Sequence, residues 1–170
     1  EINKISKNNK IFFMSNKYIN IYNNLINLTR NKRLYKGFLI QDTFQDRLIL
    51  FLFHFAFFLK VFKTNNEKKI LQDIYDVIFK QLELSIREKG YGDVTINKKM
   101  KNYLNNFHSI LNKINYWENL SFDSKQEILI TFIDNNYNKS HLIDYFDKYL
   151  NILKKSSLNL YIKGVISHKF

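Results

Sequence analysis

The sequence has no cysteine and no proline, and only four glycines among its 170 residues. Without cysteine there is no disulfide framework, no thiolate metal site and no cysteine nucleophile. That absence fits a reducing compartment. Without proline no helix interior loses an amide or is forced to kink, so long uninterrupted helices are open to the chain. Acid is missing from one end: residues 2–41 carry eight cations and no carboxylate. Histidine is sparse, and none of His54, His108, His141 and His168 has a second histidine or a carboxylate at a metal-binding spacing. Strand alternation, internal repeats and low-complexity linkers are missing as well.

What is present is a core. Hydrophobic residues make up 45% of the chain and aromatic residues 16%, so the composition is that of a folded protein. The length suits one domain. The net charge is +12. The surplus of Asn, Lys, Ile, Phe and Tyr marks an AT-rich genome, and drift toward Lys explains part of that charge. Its distribution carries more information. Residues 42–93 balance eight cations against eight acids, whereas 139–170 hold six lysines against two aspartates. Positive charge at both ends attracts anionic lipid, RNA or an acidic partner. The bland alternative is a solvated lysine surface.

Periodicity places the helices. Tyr18, Ile21, Tyr22, Leu25 and Leu28 share one helical face. Arg30 to Gly37 is a basic connector. Thr43, with Asp46 three residues on, starts a helix. Residues 48–59 are an uncharged run of 12 residues, too short for a bilayer that needs about 20. A helix over 44–62, apolar all round, is therefore expected at the centre of the fold. Thr64 to Asn66 breaks the pattern. Residues 67–89 form an amphipathic helix with Ile70, Ile74, Val77, Ile78 and Leu82 inward, ending at Gly90 in a left-handed cap. Thr95 is positioned to cap the next helix, which runs to about Glu118 with Ile96, Met100, Leu104, Phe107, Leu111 and Ile114 inward. Ser124 and Glu127 match a capping box ahead of Ile128, Leu129, Phe132 and Ile133. After a break at Asn135 to Lys139, Ser140 caps a helix to about Lys155. Residues 158–170 are a short tail with Gly164. The expected architecture is all-α, a single compact domain of about six helices around the central apolar helix. Residues 1–17 are set apart as a basic N-terminal extension, open to disorder, ahead of a helical domain over 18–170.

No Ser/His/Asp arrangement and no catalytic pair of carboxylates assembles from this sequence, so no enzyme is inferred. His54 lies inside the aromatic helix and is expected to be a core histidine with satisfied nitrogens rather than a haem ligand. Gly90, Gly92 and Asp93 lack the strand and third glycine of a dinucleotide fingerprint. They form instead a tight helix–helix turn, with Gly92 letting the next helix start close by and Asp93 favouring its amino-terminal dipole. From Val94 to Trp117 there are four lysines and no acid. Lys98, Lys99 and Lys101 lie within one helical turn, as a solvated face or as a docking patch. Tyr103, Tyr116 and Trp117 are the aromatic residues suited to stack on bases if exposed beside those lysines.

The stretch Ile-Arg-Glu-Lys-Gly-Tyr-Gly-Asp over 86–93, followed by Lys98, Lys99, Met100 and Lys101, resembles a pattern of the ubiquinol–cytochrome c chaperones. That pattern is Leu-Arg-Glu-Met-Gly-Val-Gly-Asp ahead of a basic helix start. Arg87, Glu88, Gly90, Gly92 and Asp93 match, Phe107 falls where the family has Phe-Tyr-Gly-Arg, and Tyr91, Asn97 and His108-Ser109-Ile110 depart. Upstream, Asp42-Thr43-Phe44, Arg47 and an apolar helix with His54 resemble the family's Pro-Asp-Thr-Phe-Asp-Gly-Arg-Phe stretch. Gln41 and Asp46 replace a proline and a glycine there. Asn136-Tyr137 is a weaker match. The resemblance spans roughly residues 20–155 in the right order.

The resemblance implies a non-enzymatic assembly chaperone for the cytochrome bc1 complex, binding newly made cytochrome b or another bc1 subunit, with no cofactor and no DNA. It implies work at the cytoplasmic face of the inner membrane, or in the mitochondrial matrix, with contact to the ribosome. Met14 opens a more family-like start, Met-Ser-Asn-Lys-Tyr-Ile, and residues 1–13 carry no clear presequence. The alphaproteobacterial rather than the mitochondrial type is therefore expected. Arg87, Lys98, Lys99, Lys101 and Tyr103 are the candidates for client or partner contact, and Gly90, Gly92 and Asp93 are the structural motif. Attachment to anionic membrane is expected through residues 1–36; docking of Tyr18, Ile21, Leu25 and Leu28 on the core competes for the apolar face and can coexist with it, lysines outward and aliphatics inward. The rival reading is a basic RNA- or ribosome-binding module without a bc1 role. That reading needs the lysines and basic ends joined in one surface with Tyr103 or Trp117 exposed.

Overall fold

Eight α-helices form among the described residues of the computed structural model, which are 2–35, 43–63, 67–133 and 138–166, with side chains from Asn16 onward except that of Arg33. Gln41, Asp42, Thr64, Asn136, Tyr137 and His168 lie outside them. Six helices are long: α1 (Ile2–Thr29), α3 (Phe44–Phe62), α4 (Lys68–Arg87), α5 (Asp93–Lys113), α6 (Phe122–Phe132) and α7 (Lys139–Lys154). Two are short: α2 (Lys32–Tyr35) and α8 (Leu158–Ile162). The fold is all-α, as the periodicity predicts, and no described residue is in a strand.

Helix α3 is the axis. Thr43 Oγ1 accepts from the Asp46 amide at 3.1 Å while the Asp46 carboxylate accepts from the Thr43 amide at 3.3 Å, a reciprocal cap. Every residue from Leu48 to Phe58 is buried. The reason is that different helices cover its different sides. Phe51 meets Tyr22 of α1 at 5.8 Å between ring centroids, and Phe55 stacks on Phe107 of α5 at 5.1 Å. Phe57 stacks on Phe146 of α7 at 5.2 Å, and Phe58 meets Tyr161 of α8 edge-on at 5.3 Å. Such ring pairs add about 0.5–1.5 kcal/mol each beyond the area they bury.

His54 faces α7. Its Nδ1 lies 2.6 Å from the Leu50 carbonyl and its Nε2 2.7 Å from the Tyr145 hydroxyl. A carbonyl only accepts, so Nδ1 carries the proton and Nε2 accepts from Tyr145. Burial pushes the Tyr145 phenol up, which keeps it a donor. Both ring nitrogens are engaged, as expected of a core histidine, and neither is left for a haem iron.

The structure corrects several local expectations. The backbone of α1 is helical from Ile2, through the stretch set apart as an extension, because neither glycine nor proline interrupts residues 2–29. The basic connector holds α2, whose Leu34 is fully buried. Helix α5 begins at Asp93 with Gly92 as its cap, so Thr95 lies inside its first turn. Helix α5 stops at Lys113, and a separate 3-10 turn follows at Trp117–Asn119. Ser121 rather than Ser124 caps α6, accepting from the Ser124 amide at 3.2 Å. Asn138 rather than Ser140 caps α7, accepting from the His141 amide at 3.1 Å. The tail carries α8, and its buried Leu158 and Tyr161 make it part of the core.

Two glycines behave differently from a third. Gly90 has φ +84, the left-handed turn that ends α4. Gly164 has φ +70 and closes α8, with the Val165 amide on the Leu160 carbonyl and its own amide on Tyr161, both at 3.1 Å. Gly92 has an ordinary extended backbone (φ −71), and a Cβ there would meet nothing within 4 Å. Close approach is therefore not what Gly92 provides.

Candidate functional site

Helices α4 and α5 form an antiparallel hairpin joined by the turn at 88–92. On α4, Ile74, Val77, Ile78 and Leu82 face the core as expected. A second stripe, Leu71, Tyr75 and Phe79, is spaced by four residues beside it. On α5 the buried stripe is Ile96, Tyr103, Phe107 and Ile110. Met100, Leu104 and Leu111 are left half-buried beside it. Leu71 and Phe79 are buried, and half-buried Tyr75 between them faces the α5 residues across a groove.

Tyr75 crosses that groove. Its hydroxyl hydrogen-bonds His108 Nε2 at 3.0 Å, and its ring lies 4.7 Å from Phe79 and 5.8 Å from Phe107. Burial, then the neighbouring Asp76, pushes its phenol up, so it stays protonated. Two clefts flank this bar. One, of about 540 Å³, is floored by Leu59, Leu71, Tyr75, Phe107 and Leu111, with Lys60, Lys63 and Lys68 on its rim. The other, of about 530 Å³, is floored by Tyr75, Phe79, Met100 and Leu104, with Asp76, Lys80, Glu83 and Lys101 on its rim. Clefts of this size take apolar side chains from a bound segment.

The rim is positive at the first cleft and balanced at the second. Lys60 binds Glu118 Oε2 and Lys154 binds Oε1, both at 2.7 Å. Burial pushes the Glu118 carboxyl up, but the hydrogen bonds from Lys154 and Lys60 outweigh it and hold it at about 2. Lys63 and Lys68 are exposed and make no ion pair among the described residues. At the other end Glu83 is held between Lys80 at 3.2 Å and Arg87 at 2.8 Å.

The residues picked from sequence divide. Arg87 ties Glu83 on α4 to Asp93 on α5 and so braces the turn from both sides. Lys98 and Lys101 are exposed, and Lys101 joins the rim of the second cleft. Lys99 turns back over the Tyr91 ring at 4.9 Å. Tyr103 is buried, at 5% exposure, so it offers no surface for a partner. Trp117 is fully buried, with Nε1 donating to Asp147 at 2.7 Å; Tyr116 is 69% exposed. The stacking platform that an RNA reading required of Tyr103 or Trp117 is absent. Tyr75, Phe79, His108 and the groove itself were missed. The stripe Leu71–Tyr75–Phe79, broader than one core face needs, was the available signal. Among the described residues no cluster of His, Asp or Glu is arranged to hold a metal ion. No helix among them is long and apolar enough to cross a membrane.

Residues 36–167 match the ubiquinol-cytochrome C chaperone family, a span covering α3 through α8. The chain is also similar to the crystal structure of the Cbp3 homolog from Brucella abortus, with a TM-score of 0.67 and 20% identity. That likeness covers 99% of this chain and 96% of the other, and at this identity it is a likeness of fold. No curated protein matches the chain.

Proposed function

The chain belongs to the ubiquinol-cytochrome C chaperone family, and from that membership we propose a non-enzymatic assembly chaperone for the cytochrome bc1 complex that holds newly made cytochrome b. The observation carrying this reading is the apolar groove between α4 and α5. An α-helix rises 1.5 Å per residue, so the 20 residues of α4 extend about 30 Å. A membrane-spanning segment of about 20 residues has the same length. The two clefts are shallow and take the side chains of one helical face, as in helix-in-groove recognition. Unassembled membrane segments expose apolar faces that otherwise aggregate, and an apolar groove covers such a face until partner subunits replace it.

The chaperone works beside the inner membrane, at its cytoplasmic face, where its client is inserted. The lysines on the first cleft's rim suit a client with carboxylates at one end of its apolar face. Gene deletion tests the reading. The assembled bc1 complex should be depleted while other respiratory complexes are spared. Normal bc1 levels in the deletion strain would overturn it.

A further inference from the structure

The tip of the α4–α5 hairpin carries apolar side chains that stand exposed among the described residues. Val94, on the first turn of α5, is 85% exposed. Tyr91, Leu84 and Phe44 are each about two-fifths exposed, at 44%, 40% and 43%. Phe44, from the start of α3, is brought to this tip by Lys89, whose ammonium lies 3.5 Å from its ring centroid. Lys99 sits over Tyr91 in the same way. Lys98 and Lys101 stand exposed beside them without an ion pair among the described residues. Of the carboxylates here, Asp93 and Glu83 are tied by Arg87. Among the described residues, four lysines here stand against Glu88 and, beside Phe44, Asp46, whose partner is Thr43.

We propose that this tip is a membrane-docking surface for anionic lipid. Apolar side chains ringed by lysines match the bilayer interface, where aliphatics and a tyrosine ring sit below the headgroups and lysine stems reach back to them. Charge complementarity selects anionic headgroups. Nucleic acid fits less well: Val94 and Leu84 have no ring to stack on a base, and the Tyr91 face is occupied by Lys99. Among its described side chains, helix α1 has no apolar face left for a bilayer, so only its cations could contribute there. Tyr18, Ile21, Leu25 and Leu28 are all buried in the core. The proposal deepens the placement beside the inner membrane, because a protein standing on this tip has its groove running away from the bilayer surface. It does not depend on the identity of the client.

The test uses the full chain and vesicles of phosphatidylcholine with or without phosphatidylglycerol. Wild type should float with the anionic vesicles and not with the neutral ones. Val94→Glu and the pair Lys98→Glu/Lys101→Glu should each lower recovery about tenfold or more, with melting unchanged because these side chains are exposed. Lys155→Glu/Lys163→Glu, on exposed lysines of another surface, should leave recovery near wild type. Equal flotation of tip variants and wild type would overturn the proposal. So would equal loss in the Lys155/Lys163 control, which would mean diffuse charge attraction. Loss of RNA binding in tip variants with flotation intact would assign the tip to nucleic acid. Flotation is read without cytochrome b, so a failed deletion phenotype and a failed flotation assay are separate results.

Discussion

Phe55 is where the core and the proposed groove meet, and replacing it should damage both. The side chain is fully buried in the middle of α3. Its ring stacks on Phe107 at 5.1 Å and lies 6.1 Å from Phe79 and 6.4 Å from Tyr75, which line the groove. Truncating a buried phenylalanine costs about 3–5 kcal/mol, because the surrounding structure refills the cavity only in part. A domain of this size loses roughly 2–4 °C of Tm per kcal/mol. Phe55→Ala should therefore lower Tm by about 10 °C or more. Phe55→Asp adds an unpaired buried charge costing several kcal/mol more. Against a total stability of about 5–15 kcal/mol, that variant should be unfolded at room temperature. Thermal melts by far-ultraviolet circular dichroism measure both, with Val94→Ala as an exposed control expected within about 0.5 kcal/mol. An unchanged Tm for Phe55→Asp would refute the reasoning, since α3 would then have to be a solvent- or partner-facing helix.

Two further predictions concern the ends of elements. A Cβ on Gly164 would meet Asn20 Cγ at 2.9 Å on a backbone of φ +70, so Gly164→Ala should destabilise by about 1–3 kcal/mol, whereas Gly92→Ala should be near neutral. Glu118 titrates at about 2 in the fold against 4.5 unperturbed, so its contribution is present above about pH 4.5 and is lost as pH falls toward 2. With the side chain 32% exposed, solvent screening reduces that contribution to about 1 kcal/mol. Glu118→Gln should be less stable by that amount at pH 7, with the difference closing in acid melts.

The central helix was legible because an apolar pattern with no polar side requires neighbours all round, and α1, α5, α7 and α8 supply them. The Thr43–Asp46 cap was legible because one candidate pair stood alone. Other caps were not. Ser121 and Ser124, or Asn138 and Ser140, cap about equally well by type, and only the path of the chain decides between them. Helices α2 and α8 are too short to show a period. Tyr103 was misplaced by one position in a pattern. The expected stripe ran through Met100, Leu104 and Leu111, whereas burial follows Tyr103 and Ile110. A period of 3.6 accommodates both, and the packing of α5 against α3 selects one. The rejected stripe became the wall of the groove. A groove is a distance between helices, and no spacing along one helix encodes it.

Complementation of the deletion strain tests most directly whether the α4–α5 groove serves bc1 assembly. Asn105→Trp fills the second cleft from an exposed position, and Leu104→Glu places a charge on its floor. With Tm and expression measured beside wild type, both folded variants should fail to restore assembled bc1 complex, while Lys155→Glu/Lys163→Glu restores it. Full restoration by folded Asn105→Trp and Leu104→Glu would contradict the claim.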